Sequence, residues 1–202
     1  MLYILTISLT FLFFSPVVFA HHTEHGEHLY GKCVEKSILG KCVKSDHDIA
    51  PEDAYKMLTS GDKRIFLIDV RTVDEYILVG HPEMAYNIPF PVSDFGNPSI
   101  GRKEIQVTEL QFVKNAKKRF KEEDTILLIC RSAWRSVGAA NALAKAGFKN
   151  IYNIVEGFEG KSSSAEGHDN IKTGPTGPKN INGWKNKIPY TYHIHPDLMY
   201  KP

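Results

Sequence analysis

The sequence predicts an α/β fold with a mainly parallel central sheet of about five strands and helices on both faces. Three features carry this prediction. From Ile49 onward, short apolar runs alternate with helix-like segments, the order that builds a parallel sheet through crossover helices. Runs such as Ile65-Phe66-Leu67-Ile68 and Thr125-Ile126-Leu127-Leu128-Ile129 are apolar at successive positions, as strands covered on both faces must be. Capping residues, glycines and prolines stand between the runs, where helices start and chains turn. In such a sheet the functional loops lie at the carboxyl ends of the strands.

Taken in order, Pro51 to Ser60 reads as a helix, with proline in the first turn, where its missing N–H is no loss, and Gly61 after the end. Ile65 to Ile68 is the first strand, closed by Asp69-Val70-Arg71. Thr72 to Tyr76 reads as one helical turn and Ala85-Tyr86-Asn87-Ile88-Pro89 as a short strand. A loop with Pro91, Gly96, Pro98 and Gly101 leads to a longer helix. Thr108 with Gln111 three residues on is a capping-box pattern, and Leu110, Val113, Ala116 and Phe120 form an apolar stripe, interrupted at Lys117. After the strand over Thr125 to Ile129, Ser136 is the expected N-cap of an alanine-rich helix from Val137 to Ala146 that stops at Gly147. Ile151-Tyr152-Asn153-Ile154-Val155 is a further strand.

Lys161 to Ile181 breaks this rhythm. It is rich in Ser, Gly and Pro and reads as an irregular surface excursion. Apolar and aromatic character returns at Trp184, Ile188-Pro189-Tyr190 and Tyr192, which are expected to pack back onto the sheet edge or a helix. His193 and His195 lie in this tail and are expected at the surface or satisfied in place, since two histidines do not make a metal site.

Residues 1–20 carry no charged side chain, and Val18-Phe19-Ala20 offers small residues at a cleavage site, the pattern of a secretory signal. The protein is therefore expected to be secreted or periplasmic after cleavage behind Ala20. No Lys or Arg precedes the apolar stretch, and an uncleaved membrane anchor is the alternative. The next segment, His21-His22-Thr23-Glu24-His25-Gly26-Glu27-His28, reads as a solvated tail with latent capacity to chelate metal. Cys33 and Cys42 flank a short stretch and are expected to pair as a disulfide, because export favours oxidation. A metal site using both thiolates and nearby histidines is the alternative. The expected organisation is thus 1–20 signal, 21–48 His-rich and cysteine-paired segment, and 49–202 one domain. A net charge of +2 gives no reason to propose nucleic acid as a partner.

The chemistry concentrates at Cys130-Arg131-Ser132-Ala133-Trp134-Arg135-Ser136, between an apolar strand and a helix. A cysteine there meets the unpaired N–H groups and the positive end of the helix dipole, which favour a thiolate, and two arginines add full charge. A planar guanidinium matches the oxygens of thiosulfate or departing sulfite. Arg135 is the stronger candidate, with Arg131 able to point to solvent. Ser136 caps the helix or donates to sulfur. Trp134 shields the sulfur, contacts a partner or simply packs beside the loop.

Leu67-Ile68-Asp69-Val70-Arg71, Asp74-Glu75-Tyr76, Gly80-His81, Ala85-Tyr86-Asn87-Ile88-Pro89, the Cys130 to Ser136 loop and Glu156-Gly157-Phe158 follow one another in the order of rhodanese-like domains. From Ile49 to Tyr190 the chain resembles a single-domain exported rhodanese. The resemblance implies a single rhodanese-like domain that acts, without cofactor or metal, as a sulfurtransferase. Cys130 would take a sulfane sulfur from a small anion such as thiosulfate, hold it as a persulfide and pass it to an unidentified thiol or protein acceptor. It further implies that Arg131, Ser132, Ala133, Trp134, Arg135 and Ser136 line the substrate, that Asp69, Arg71 and Glu75 organise turns around the strand end, and that the protein is a monomer.

The chain departs from the family at Ala133, where glycine is common, at Pro82-Glu83-Met84, and at the 161–181 segment. If the Ala133 position needs positive φ, alanine is strained there. A non-catalytic or redox-sensing sulfur-binding module is therefore the alternative. A cysteine phosphatase or arsenate reductase is disfavoured, because those enzymes use a longer interval than the four residues between Cys130 and Arg135.

Overall fold

The computed structural model describes residues 29–36, 42–91, 107–160 and 182–201. The apolar segment 1–20, the histidine segment 21–28, the loop with Gly96, Pro98 and Gly101, and the 161–181 segment lie outside these residues. Strands β1 (Cys33–Lys36) and β2 (Cys42–Ser45) form an antiparallel ribbon. Among the described residues the main sheet has five strands: β3 (Asp48–Ile49), β4 (Ile65–Asp69), β5 (Ala85–Asn87), β6 (Thr125–Ile129) and β7 (Asn150–Ile154). Their order is β3-β7-β6-β4-β5, and every neighbouring pair is parallel. The helices are α1 (Pro51–Leu58), α2 (Val73–Val79), α3 (Glu109–Arg119), α4 (Trp134–Lys145) and α5 (Trp184–Lys187).

The period of two along each strand divides the core. Ile126 and Leu128 of β6 and Ile68 of β4 pack with Phe112 and Ala116 of α3 and Ala139, Ala140 and Leu143 of α4. Leu127 and Ile129 of β6 and Leu67 of β4 pack on the other face with Ala54 of α1, Tyr76 of α2 and Trp184 of α5. Successive positions of one run thus serve two layers, and each fully buried Leu, Ile or Phe contributes about 1.5–3 kcal/mol. The parallel register sets Asp69 beside both Asn87 and Ile129, so the carboxyl ends of β4, β5 and β6 are level.

The expected strands and the capping box of α3 are present, with Thr108 accepting from the Gln111 N–H at 3.2 Å. Two elements differ. The turn expected over Thr72 to Tyr76 extends to Val79, started by a capping box between Thr72 and Glu75. The two residues of β3 are too few to display a pattern. They are recruited by β7, with Asp48 accepting from the Tyr30 hydroxyl at 2.7 Å and from the Asn153 amide at 2.8 Å.

Trp184 and Ile188 pack back as expected, whereas Tyr190 and Tyr192 are exposed. The chain then runs along the edge strand β5. His81 and Thr191 exchange backbone hydrogen bonds of 2.9 and 2.8 Å, the Asn87 N–H donates to Leu198 O at 2.8 Å, and Arg119 donates to Asp197 O at 2.7 Å. This covers an edge that would otherwise be open to another chain. His81 is buried, stacked on Tyr76 with ring centroids 3.6 Å apart, its Nδ1 2.9 Å from Tyr76 O and its Nε2 3.2 Å from His193 O. His193 and His195 are exposed.

Residues 160 and 183 form a clasp. Gly183 has φ +96°, and a Cβ built on it would lie 2.7 Å from Gly160 Cα, so only glycine permits the approach. Glu156 accepts from the Gly183 N–H at 2.8 Å, and Lys187 joins Glu156 to Glu52 of α1.

Candidate active site

Cys130 follows the last residue of β6 and lies completely buried below the first turn of α4. The chain enters that helix through Ala133, at φ +77° and ψ −15°. Ala133 is the only described non-glycine residue with positive φ. Its left-handed turn starts the helix at Trp134, two residues before Ser136, so the expected N-cap role of Ser136 is not met. Ser136 instead donates to Ala133 O at 2.9 Å, with its hydroxyl 3.5 Å from Cys130 Sγ. Of its two expected roles, the one at sulfur fits the geometry.

The segment after β7 clamps the front of the loop. The Phe158 N–H donates to Cys130 O at 2.7 Å and the Glu159 N–H to Arg131 O at 3.0 Å. Gly157, at φ +65°, lies so close that a Cβ would come within 2.7 Å of Arg131 C and O and Ser132 N. The Gly157 position therefore admits the loop only without a side chain.

Both arginines of the loop meet carboxylates. Arg135 is 5% exposed, and both ends of its fork bind Glu75, Nη1 to Oε2 at 2.7 Å and Nη2 to Oε1 at 2.6 Å. Its fork is occupied by a carboxylate and is not open to an oxyanion. Glu75 also accepts from the Thr72 N–H at 2.9 Å, so one carboxylate starts α2 and holds the first turn of α4. Arg131 is 45% exposed, with Nε 3.5 Å from Glu159. Arg71, fully buried, donates from Nε to Asp69 at 2.9 Å and from Nη2 to Gly80 O at 2.8 Å, with its guanidinium 4.1 Å from the Phe158 ring centroid.

Burial works against charge on Arg135, but Glu75, then Cys130 and Asp69, outweigh it and push the pKa of Arg135 above its ordinary value. For Glu75, burial raises the pKa, but hydrogen bonding and charge from Arg135 prevail and hold it below the ordinary carboxylate range. Glu75 thus reaches from the start of α2 to the cysteine loop itself. Glu159 carried no signal in the sequence. Its relevance comes from the turn after β7 lying against Arg131.

Ser132 is half-buried, and Trp134 is 37% exposed as the first residue of α4, its ring centroid 5.7 Å from the Arg135 guanidinium. Of the loop residues Ser136 is placed at the Cys130 sulfur, while Arg131 and Arg135 are turned to carboxylates. Cys33 and Cys42 are far from this chemistry in the chain, on the neighbouring strands of the ribbon.

A family model for the rhodanese-like domain matches residues 50–163. The chain is similar to the uncharacterized protein RP600 of Rickettsia prowazekii, 34% identical over 121 residues, which are 57% of this chain and 85% of that protein. It is also similar to the putative mitochondrial thiosulfate sulfurtransferase of Schizosaccharomyces pombe, 36% identical over 101 residues, 48% of this chain and 62% of that one. Among solved structures, that of Rv0390 from M. tuberculosis superposes with a TM-score of 0.54 at 26% identity, covering 72% of this chain and 97% of the other.

Proposed function

Because the chain belongs to the rhodanese-like domain family, we propose that it is a sulfurtransferase working through a persulfide on Cys130. The observation that carries this reading is the placing of Cys130, at the end of a central strand, under the N-terminus of a 12-residue helix and with the Ser136 hydroxyl 3.5 Å from its sulfur. The Cys130 thiolate attacks the outer sulfur of thiosulfate or a related donor. A bond forms to Sγ, the donor's S–S bond breaks, and its electron pair leaves on the departing group. A thiophilic acceptor then attacks the bound sulfur and releases Cys130. The positive end of α4 stabilises negative charge on sulfur in both steps. Arg135 acts through Glu75 as a positioning residue, and access to the buried sulfur comes with movement of the loop.

Incubation with a sulfur donor is expected to add the mass of one sulfur to the intact protein. Cys130→Ser should abolish both the added mass and, with cyanide as acceptor, thiocyanate formation. The same added mass on Cys130→Ser would remove Cys130 as the acceptor. Ala133 in the left-handed region, a strained entry to the loop, favours a second reading, a non-catalytic or redox-sensing module. In that case peroxide oxidises Cys130 while no donor loads it.

The same proposal takes residues 1–20 as an export signal or anchor, 21–48 as a His-rich segment with Cys33 and Cys42 paired as a disulfide, and 49–202 as the working domain. Both cysteines stand on the paired strands of one ribbon, and Cys130 is the free cysteine among the described residues.

A further inference from the structure

We propose that a second site, separate from the cysteine loop, binds a small organic dianion with an acid group at each end, the dicarboxylate class. It is the cleft of about 190 Å³ between α3, the end of β5 and the C-terminal segment. None of its lining residues belongs to the Cys130 loop, so the assignment does not rest on the sulfur-transfer reading. Lys118 and Arg119 line it from the last turn of α3 and Lys201 from the C-terminal segment, and among the described residues no carboxylate lines it. The basic residues of α3 also serve the negative end of its helix dipole, but that end is worth only about half an elementary charge. The side-chain cations outweigh it, and a concave surface of one sign concentrates counter-ions.

The walls of the cleft are fixed by the fold. The Asn87 N–H donates to Leu198 O at 2.8 Å, and Arg119 donates from Nη1 to Asp197 O at 2.7 Å and from Nη2 to Met199 O at 3.2 Å, with its guanidinium 5.5 Å from the Tyr86 ring centroid. Helix, strand end and C-terminal segment are therefore set against one another before a ligand arrives, which lowers the ordering cost of binding. These partners of Arg119 are carbonyls and a ring, none of which carries a net charge, so its positive charge is left to act on an anion. Size and lining narrow the ligand. The volume is below the roughly 300–1,000 Å³ of drug-sized sites and just above the ~150 Å³ that holds benzene, so it suits about seven to ten non-hydrogen atoms. A tetrahedral inorganic anion would leave much of that space unfilled. Cations from two separate elements match two acid groups, Ile88 and Tyr200 supply apolar surface for a short carbon body, and the Asn115 amide is a neutral donor.

The test is an amide NMR titration of the full chain at a fixed ionic strength of about 0.1 M, with three probes: succinate, butyrate, which has the same carbon count and one acid group, and inorganic phosphate. Succinate is expected to shift the amides of 115–119 and 198–201 and to bind with a Kd below about 1 mM. It should bind at least about tenfold more tightly than butyrate or phosphate. Lys118→Ala and Lys201→Ala, both at exposed positions, should each weaken succinate by about fivefold or more. Lys117→Ala, on the same helix but outside the cleft and paired with Glu122 at 2.8 Å, should leave its affinity unchanged.

Butyrate or phosphate binding as tightly as succinate overturns the assignment to a two-headed anion. Shifts confined to other residues, an affinity unmoved by Lys118→Ala and Lys201→Ala, or an equal loss in Lys117→Ala overturns the site. Absence of any shift with succinate up to about 20 mM overturns both. The comparison of the three probes uses the unaltered protein and does not depend on the folding of a variant.

Discussion

Ala133 carries a side chain through a left-handed turn that favours glycine. For an L-residue this conformation costs about 1–2 kcal/mol, and it sits at the entry to the helix over Cys130. Ala133→Gly is therefore expected to stabilise the protein by about 1 kcal/mol, raising Tm by roughly 2–4 °C. Thermal unfolding at neutral pH checks this, and an unchanged or lower Tm would mean that the turn is not strained. The strain itself was legible in the sequence, because an alanine stands where the resembled loops have glycine. The pairing of Arg135 was not. Glu75 lies 60 residues away, and only the order β6-β4 brings the start of α2 to the start of α4. Periodicity places residues on faces, whereas ion pairs between loops depend on strand order.

At the scale of elements, one carboxylate ties two helix starts together. Glu75 accepts from Thr72 at the head of α2 and from Arg135 in the first turn of α4, so Glu75→Gln leaves a buried guanidinium without its counter-charge. The expected loss is about 3 kcal/mol at neutral pH. Because the Glu75 pKa is depressed in the folded state, its contribution is complete above the ordinary carboxylate value and declines as pH falls through the lower folded value. The Tm difference between wild type and Glu75→Gln should therefore narrow on acidification from pH ~7 to pH ~3. A difference that stays constant would place the stabilisation elsewhere. The capping box of α3 and the strands other than β3 were readable in the sequence because each is a local pattern, whereas the cap expected at Ser136 gave way to the turn at Ala133. β3 was not, since two residues become a strand only beside β7.

Over the whole molecule, the C-terminal segment closes the sheet along β5, with His81 at its centre. Burial first, and Arg71 nearby, lower the His81 pKa, outweighing the raising effect of the carbonyls of Tyr76 and His193 and the charge of Asp69. The folded state thus holds a neutral imidazole. Its contribution is complete above the ordinary histidine value, near pH 6.5, and falls as pH drops below that value, where unfolding takes up a proton. His81→Gln should lose about 1–3 kcal/mol at pH ~7.5 and show a shallower decline of Tm down to pH ~5. Equal slopes would assign the titration to another group. No pattern in the sequence signalled that a histidine in a turn would be buried by a tail 110 residues later. The Gly160–Gly183 clasp has a consequence of another kind. Two points of the chain in contact form a port: a segment strung between them begins and ends at the same place, and lengthening it twofold costs only about 0.6 kcal/mol in closure entropy. For evolution, and equally for an engineer placing a tag or a binding peptide, the length and content of that segment are free variables, adjustable while the cysteine loop keeps its geometry.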